Sequence, residues 1–402
     1  MEYKEFFSGL EMFGIKLGLE RIEELFELLN HPENKIKFIH IAGTNGKGSV
    51  AALTSAMLTD SNFKVGLYTS PHLISIRERF RINGKAISKE KLNAAVEVLS
   101  LKLNKLKKKG EPLPSYFEVC TALAAYIFAE EKVDFVVWET GMGGRLDATN
   151  IVIPEISVIT GISKDHTQYL GDNISDIAFE KAGIIKRGKP VICGACSLKA
   201  KEVILEIAHQ KNTNVYFPLD HNTSIFDFQK SNLIIAEAVV KLLSNKFIFN
   251  MPNIKEASDK LTWPGRFQVF PGNIIVDGAH NPEASTALLK MLKKSFPNQK
   301  FKIIFASFAD KNFIKSLLIL SEIASLFIFT SSGSNRKTAD LEVLELEFKK
   351  LNNSNISYIL ANSPEDALGL AQGENVLVCG SLYLAGEILR LLTDKDSLLN
   401  IY

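Results

Sequence analysis

Cysteine is the first shortage: Cys120, Cys193, Cys196 and Cys379 are the only four in 402 residues. Thiols so few and so widely spread exclude the disulfide framework that holds small secreted domains together. Cys193 and Cys196 do spell C-x-x-C, but no second pair and no Cys/His cluster lies near them, and a structural zinc wants four ligands. They read as ordinary small residues after a strand. A surplus of one charge is also missing. The 47 Lys and Arg nearly balance 45 Asp and Glu, which removes the electrostatic reason to expect nucleic acid or an anionic membrane as the main partner. Long apolar runs are absent too, since none approaches the roughly 20 residues that span a bilayer. Met1 opens onto Glu2, Lys4 and Glu5 in place of a basic, apolar leader. Cytoplasm is the expected location. There is no solenoid-type repeat and no low-complexity segment.

What is present is an α/β pattern, in which short apolar, β-branched runs alternate with helical stretches. Strands are expected at Ile36–Ala42, Val65–Thr69, Asp134–Glu139, Ile156–Gly161 and Val191–Cys193. Helices are expected at Ser49–Thr59, Ser88–Lys108, Ser115–Glu130, Ile174–Ile185 and Ser231–Leu243. After Trp263-Pro264-Gly265 a second series begins, with strands near Ile274–Asp277, Lys302–Ala306, Leu326–Thr330, Ser357–Leu360 and Val376–Cys379. The chain exceeds the size at which one core keeps growing, and the second series is itself of domain size. Two domains are therefore expected, residues 1–264 with a parallel-rich sheet and a smaller α/β domain at 265–402.

Three segments carry chemistry. Ile39–Ser49 runs from an apolar strand into Gly43-Thr44-Asn45-Gly46-Lys47-Gly48-Ser49 and then a helix, the context a phosphate-binding loop requires. Glycines let backbone N–H groups approach phosphates, the helix N-terminus favours negative charge, and a lysine reaches the terminal phosphates. The spelling departs from G-x-x-x-x-G-K-[ST], because Gly48 separates Lys47 from Ser49. Such a loop alone leaves kinase, GTPase, helicase and ligase open. In the second segment, Trp138–Asn150, Glu139 ends an apolar strand where a carboxylate would hold Mg²⁺ on nucleotide phosphates. A glycine-rich turn and Asp147 follow. In the third, His166 stands beside Asp165 after another strand, a position suited to a metal ligand. Lys181 follows within Glu180-Lys181-Ala182-Gly183.

These elements, in this order, resemble the Mur ligase superfamily and within it the folylpolyglutamate synthases, including the bifunctional dihydrofolate synthase form. The signatures are GTNGKGS at Gly43–Ser49, TSPHL at Thr69–Leu73, SYFE at Ser115–Glu118, ETGMGGRLDATN at Glu139–Asn150 and DHTQYLG at Asp165–Gly171. EKAGI at Glu180–Ile184, WPGR at Trp263–Arg266, DGAHNP at Asp277–Pro282 and GSLYLAGE at Gly380–Glu387 complete the set. Nine in order, spread over nearly the whole chain, are specific.

The resemblance implies an N-terminal P-loop ATPase domain and a Rossmann-like C-terminal domain, with ATP and two Mg²⁺ ions as cofactors. Asn45, Gly46, Lys47, Gly48 and Ser49 would hold the triphosphate, while Ser70, Glu139 and His166 would hold the metals. Asn232, Arg266 and Asp277 would contact the nucleotide's base, phosphate and ribose; a helix cap is the plainer alternative for Asn232. Lys181 would match a lysine that is carbamylated, and with Lys47 and His166 would serve catalysis. Ser115, Tyr116, Phe117 and Glu118, with Leu146, Asp147 and Ala148, would bind folate or dihydropteroate. His280 and Ser381 would lie toward L-glutamate. Ser70–Ser88, with Arg77, Arg79 and Arg81, is expected to be a long loop acting as a lid. A monomer is expected.

Some spellings depart from the family's: Phe228 in place of a histidine, Ala309-Asp310-Lys311-Asn312, and Asn335-Arg336-Lys337. Rival readings are a ligase acting on another carboxylate, a P-loop kinase or GTPase, and a non-catalytic folate- or nucleotide-binding protein. A cell-wall ligase would need a nucleotide-sugar domain ahead of the loop, and only about forty residues precede Gly43. A kinase or GTPase would leave Lys181, WPGR and the C-terminal unit without a task.

Overall fold

Runs of Val, Ile and Phe buried on both faces force parallel strands sandwiched between helices, and they do so twice. The structure, a computed structural model, describes residues 2–10, 18–219, 228–309, 311–332, 339–351, 356–373, 375–394 and 397–402. One unit comprises Met1–Ile225, Gln229–Thr262 and Tyr402, and the other is formed chiefly by Trp263–Ile401.

The first unit is built on an eight-stranded sheet. Its strands are β1 (Lys37–Ala42), β2 (Val65–Tyr68), β3 (Phe80–Ile82), β4 (Lys85–Ala86), β5 (Phe135–Glu139), β6 (Ile156–Gly161), β7 (Val191–Ala195) and β8 (Val215–Tyr216). Their order is β4-β3-β2-β5-β1-β6-β7-β8. From β2 to β8 every pairing is parallel. Because β5 and β6 flank β1, the loops leaving three strands distant in sequence open side by side, at the switch in strand order where α/β sheets take their ligands. The helix Lys47–Asp60 is buried along its whole middle, Val50 to Leu58, as expected of a helix apolar on every side.

Ser70–Ser88 is not the open lid expected from its polarity. It folds into a 3₁₀ turn, Ile76–Arg79, and the antiparallel pair β3 and β4 on the edge of the sheet. Burial of Ile76 and Phe80 pins it there. Its charges obscured the alternation, yet Arg77 Nε donates to the Ile87 carbonyl at 2.6 Å and Arg81 Nη1 to that of Gly84 at 3.4 Å.

Among its described residues the second unit has six strands: β9 (Gln268–Phe270), β10 (Ile274–Val276), β11 (Phe301–Phe305), β12 (Ala324–Phe329), β13 (Ser357–Leu360) and β14 (Val376–Cys379), in the order β13-β12-β11-β14-β10-β9. Only β9 is antiparallel to its neighbour. Phe301, Phe305, Phe327, Phe329 and Phe348 fill its core with aromatic edge contacts.

Candidate active site

The phosphate loop begins where β1 ends. Its neighbour β6 clamps it: Thr44 N donates to the Gly161 carbonyl at 2.9 Å, and Thr160 Oγ1 donates to that of Asn45 at 2.7 Å. Gly46 caps the following helix with φ of 82°, a left-handed conformation that suits glycine. Any Cβ there would stand 2.5 Å from Asn232 Oδ1. Asn232 lies inside the helix Phe228–Ser244, which rules out the helix-cap alternative and brings its amide against the loop. Lys47 Nζ donates to the carbonyls of Gly43 at 3.0 Å and Thr44 at 3.3 Å. Gly48 and Ser49 fall in the first helical turn, where unpaired N–H groups favour an anion.

On the other side of β1, β5 ends in buried Glu139, whose Oε2 accepts from Ser70 N at 2.9 Å. Two of the three expected metal ligands are thus adjacent. His166 sits after β6 in a left-handed conformation, φ 51°, with its N–H held by Asp165 Oδ1 at 2.8 Å. Among the described residues no group of three or more His, Cys, Asp or Glu could hold a metal unaided. A buried carboxylate with a serine beside it suits Mg²⁺, which completes its shell with phosphate oxygens and water. The His166 imidazole is a softer match.

Lys181 belongs to the helix Ile174–Ala182 and is buried, its Nζ donating to the Gly43 carbonyl at 2.9 Å. Burial, and then the charge of Lys47, lowers its pKa from 10.5 to about 7, against the opposing pull of Asp165 and Asp147. The amine is poised near neutrality. What holds its helix is the glycine turn after β5. A Cβ on Gly144 would stand 2.8 Å from the carbonyl oxygens of Glu180 and Lys181, and one on Gly183 would stand 2.8 Å from Arg145 N. Arg145 N donates to the Glu180 carbonyl at 2.7 Å, and its guanidinium pairs with the Glu180 carboxylate at 2.8 Å.

Beyond that turn, Leu146, Asp147 and Ala148 enter a 3₁₀ turn capped by Asp147. Asp147 Oδ2 accepts from Met142 N at 2.8 Å, and Oδ1 from Thr149 N at 3.0 Å and Thr149 Oγ1 at 2.5 Å. Burial raises its pKa and these donors oppose the rise. Ser115 and Glu118 form a reciprocal capping box at the start of the helix Tyr116–Glu130; Glu118 also pairs with Arg21 at 3.1 Å. Those two side chains are thereby committed to the fold. Phe117 lies against Gly141, 2.6 Å from where a Cβ would be, and Tyr116 carries the Arg79 guanidinium 5.5 Å from its ring centroid.

In the second unit, the turns after β10 and β14 adjoin, with Gly380 N donating to the Ala279 carbonyl at 2.7 Å. Asp277 accepts from Phe267 N and Ala279 N, each at 2.8 Å. Burial raises its pKa, while the Arg266 charge opposes that. His280 Nδ1 is 2.9 Å from the Gly278 carbonyl. Ser381 is buried and caps the helix Leu382–Leu392. Asp310 and Asn335–Lys337 lie outside the described residues.

Several residues at the site were given no role of their own in the sequence, although each falls within Ile39–Ser49, Trp138–Asn150 or Ser70–Ser88. His40, Trp138 and Thr149 are buried, and Arg79 Nε donates to His72 Nδ1 at 2.9 Å. Cys193 and Cys196 are free thiols with sulfurs 3.9 Å apart. No described helix is long and apolar enough to cross a membrane.

Residues 41–271 match the family model of the Mur ligase middle domain, and 265–382 that of the Mur ligase glutamate ligase domain. The dihydrofolate synthase/folylpolyglutamate synthase of Bacillus subtilis is 33% identical over 96% of this chain and 97% of its own length. That of Escherichia coli is 28% identical over 98% and 95%. The folylpolyglutamate synthase of Mycobacterium tuberculosis, solved with ADP and AMPPCP, superposes with a TM-score of 0.88 at 29% identity, covering 98% of both chains. The Escherichia coli structure with DHPP and ADP gives 0.84 at 26% identity, covering 97% of both. With the nine signatures in order, a phosphate loop clamped between its acidic and histidine-bearing neighbours, and these full-length likenesses, the chain belongs to the folylpolyglutamate synthase/dihydrofolate synthase family of Mur ligases.

Proposed function

We propose that this protein is an ATP-dependent ligase that adds L-glutamate to folates through an acyl phosphate and also converts dihydropteroate to dihydrofolate. The observation that carries this reading is the position of Lys181. Its amine touches the phosphate loop at Gly43, while its helix packs on the Gly144 turn that leads to Asp147, so one element joins the nucleotide and acceptor ends. Relatives named for both activities, and solved structures titled with ADP, AMPPCP and DHPP, support it.

In this reading Asn45–Ser49 bind the triphosphate through backbone N–H groups and Lys47, and Asn232, Arg266 and Asp277 contact the rest of ATP. Ser70, Glu139 and His166 would hold two Mg²⁺, whose chemistry is to offset the repulsion between a carboxylate and the γ-phosphate. Lys181, nearly neutral, adds CO₂ at its amine, loses a proton and becomes a carbamate anion beside that charge. Asp147 accepts N–H donors from the pterin edge, Phe117 and Tyr116 offer ring faces, and Leu146 and Ala148 border them. Ser115 and Glu118 serve by fixing the two aromatic residues. The acceptor carboxylate attacks the γ-phosphorus and ADP leaves. The glutamate amine then attacks the acyl carbon and releases phosphate, with His280 and Ser381 on the glutamate side. Free thiols suit a reducing cytoplasm, and a monomer is the working state, checked by sedimentation.

The test is ADP release with ATP, Mg²⁺ and glutamate, comparing dihydropteroate and tetrahydrofolate, with products identified by mass. Gain of one glutamate on each acceptor supports both activities. Turnover on neither refutes the substrate reading and leaves a ligase acting on another carboxylate.

A further inference from the structure

We infer that His40 and Trp138 are positioning residues that clasp Thr149 from two adjacent strands and thereby hold the Asp147 carboxylate in place; the inference rests on the reading of Asp147 as an acceptor contact. His40 on β1 stands in register with Trp138 on β5, so both side chains leave the sheet on the same face. Both converge on one residue. His40 Nε2 is 2.9 Å from Thr149 Oγ1, and Trp138 Nε1 donates to the Thr149 carbonyl at 3.1 Å.

Proton counting fixes the direction. Both Asp147 oxygens accept backbone N–H groups, Oδ2 from Met142 and Oδ1 from Thr149, as an ionised carboxylate does; Thr149 Oγ1 lies 2.5 Å from Oδ1, and such a carboxylate only accepts. The single hydroxyl proton therefore points to Asp147, and the oxygen must accept from His40, which carries its proton on Nε2. His40 Nδ1 is then a bare acceptor, and it is buried with no hydrogen-bond partner among the described residues. A buried acceptor left unpaired is destabilising, a penalty that an apolar residue at position 40 would avoid. The imidazole repays that cost only as a directed donor. A neutral ring also suits the surroundings, since burial lowers its pKa to about 3.

The experiment compares His40→Met, His40→Gln, Trp138→Phe and Thr149→Val with the parent protein, measuring KM for the pteroate acceptor, KM for ATP, kcat and Tm. His40→Met and Thr149→Val should each raise acceptor KM by about tenfold, the worth of roughly one directed hydrogen bond, with ATP KM within twofold. His40→Gln, which keeps an N–H near the same place, should recover most of the loss. Combining His40→Met with Thr149→Val should add little. Unchanged acceptor KM in His40→Met, equal losses in His40→Met and His40→Gln, or parallel rises in both KM values would overturn the inference. Should His40→Met not fold, Trp138→Phe carries the same KM comparison. A second readout needs no turnover: ¹⁵N shifts of the histidine rings should show Nε2 protonated on His40 and lose that signature in Thr149→Val. Absence of turnover on any pteroate in the parent refutes the substrate reading alone, whereas a proton on Nδ1 refutes the clasp alone.

Discussion

The amine of Lys181 donates to the carbonyl of Gly43 across 2.9 Å, from a helix that begins more than a hundred residues after the phosphate loop. A lysine in that place is electrostatically unwelcome as a cation. Lys47 already supplies positive charge, and burial penalises a second.

Replacing Lys181 with Ala should lower kcat by about a hundredfold or more, the scale at which one lost electrostatic contact in a transition state is felt. Short-chain carboxylates added to the assay should restore part of it. Full activity in the variant would remove the carbamate from the mechanism.

The same residue sets a pH dependence. With a pKa of about 7 in the fold and 10.5 as reference, the folded chain holds fewer protons than the unfolded one between those values, so this group favours stability as pH rises through that window. The neutral amine that takes up CO₂ gains population above about 7. Preincubation with bicarbonate should raise activity at pH 8 and leave it flat at pH 6, with Lys181→Ala insensitive at both.

Gly183→Ala should damage the enzyme through packing. Its new Cβ would press on the Arg145 backbone, and forced overpacking costs about 1–3 kcal/mol. Because both sides of that contact lead to the reaction centre, kcat should fall along with Tm, and nucleotide affinity measured by calorimetry should change less.

Glu118→Ala separates scaffold from contact. Loss of the capping box and the Arg21 pair should remove about 2 kcal/mol of stability. Acceptor KM measured well below the variant's Tm should move less than twofold, whereas a tenfold rise would make Glu118 a direct folate contact.

His40 makes the protein acid-sensitive in a defined range. Its folded pKa of about 3 lies below the reference 6.5, so the unfolded chain binds the extra proton between those values and stability falls as pH drops through them. His40→Gln should flatten that slope in urea titrations between pH 6 and 4.

Much of this was legible in the residues. Ten strands announced themselves as apolar, β-branched runs between turn formers, and Lys47, Glu139 and His166 stood at strand ends where loops gather. The strands β3, β4, β8 and β9 were not, because each is two or three residues long and carries a polar member, Arg81, Lys85, Tyr216 or Gln268, which leaves no apolar run to read. The arginines between Ser70 and Ser88 looked like a mobile basic loop because burial of Phe80 and capping by backbone carbonyls are tertiary facts. Likewise, a histidine inside an apolar strand says nothing about its partner until register sets His40 beside Trp138 and both over Thr149.

The placement of β1 between β5 and β6 also bears on how the chain acquires its structure. Synthesis delivers the phosphate loop at Gly43 long before Phe135 and Ile156, the strands that will border it, so during translation β1 waits as an unpaired apolar edge. Non-local parallel pairing is slow, and waiting edges invite association. The nucleotide site should thus form only after β6, Ile156–Gly161, has emerged, and until then the nascent chain carries an apolar edge that a chaperone could cover.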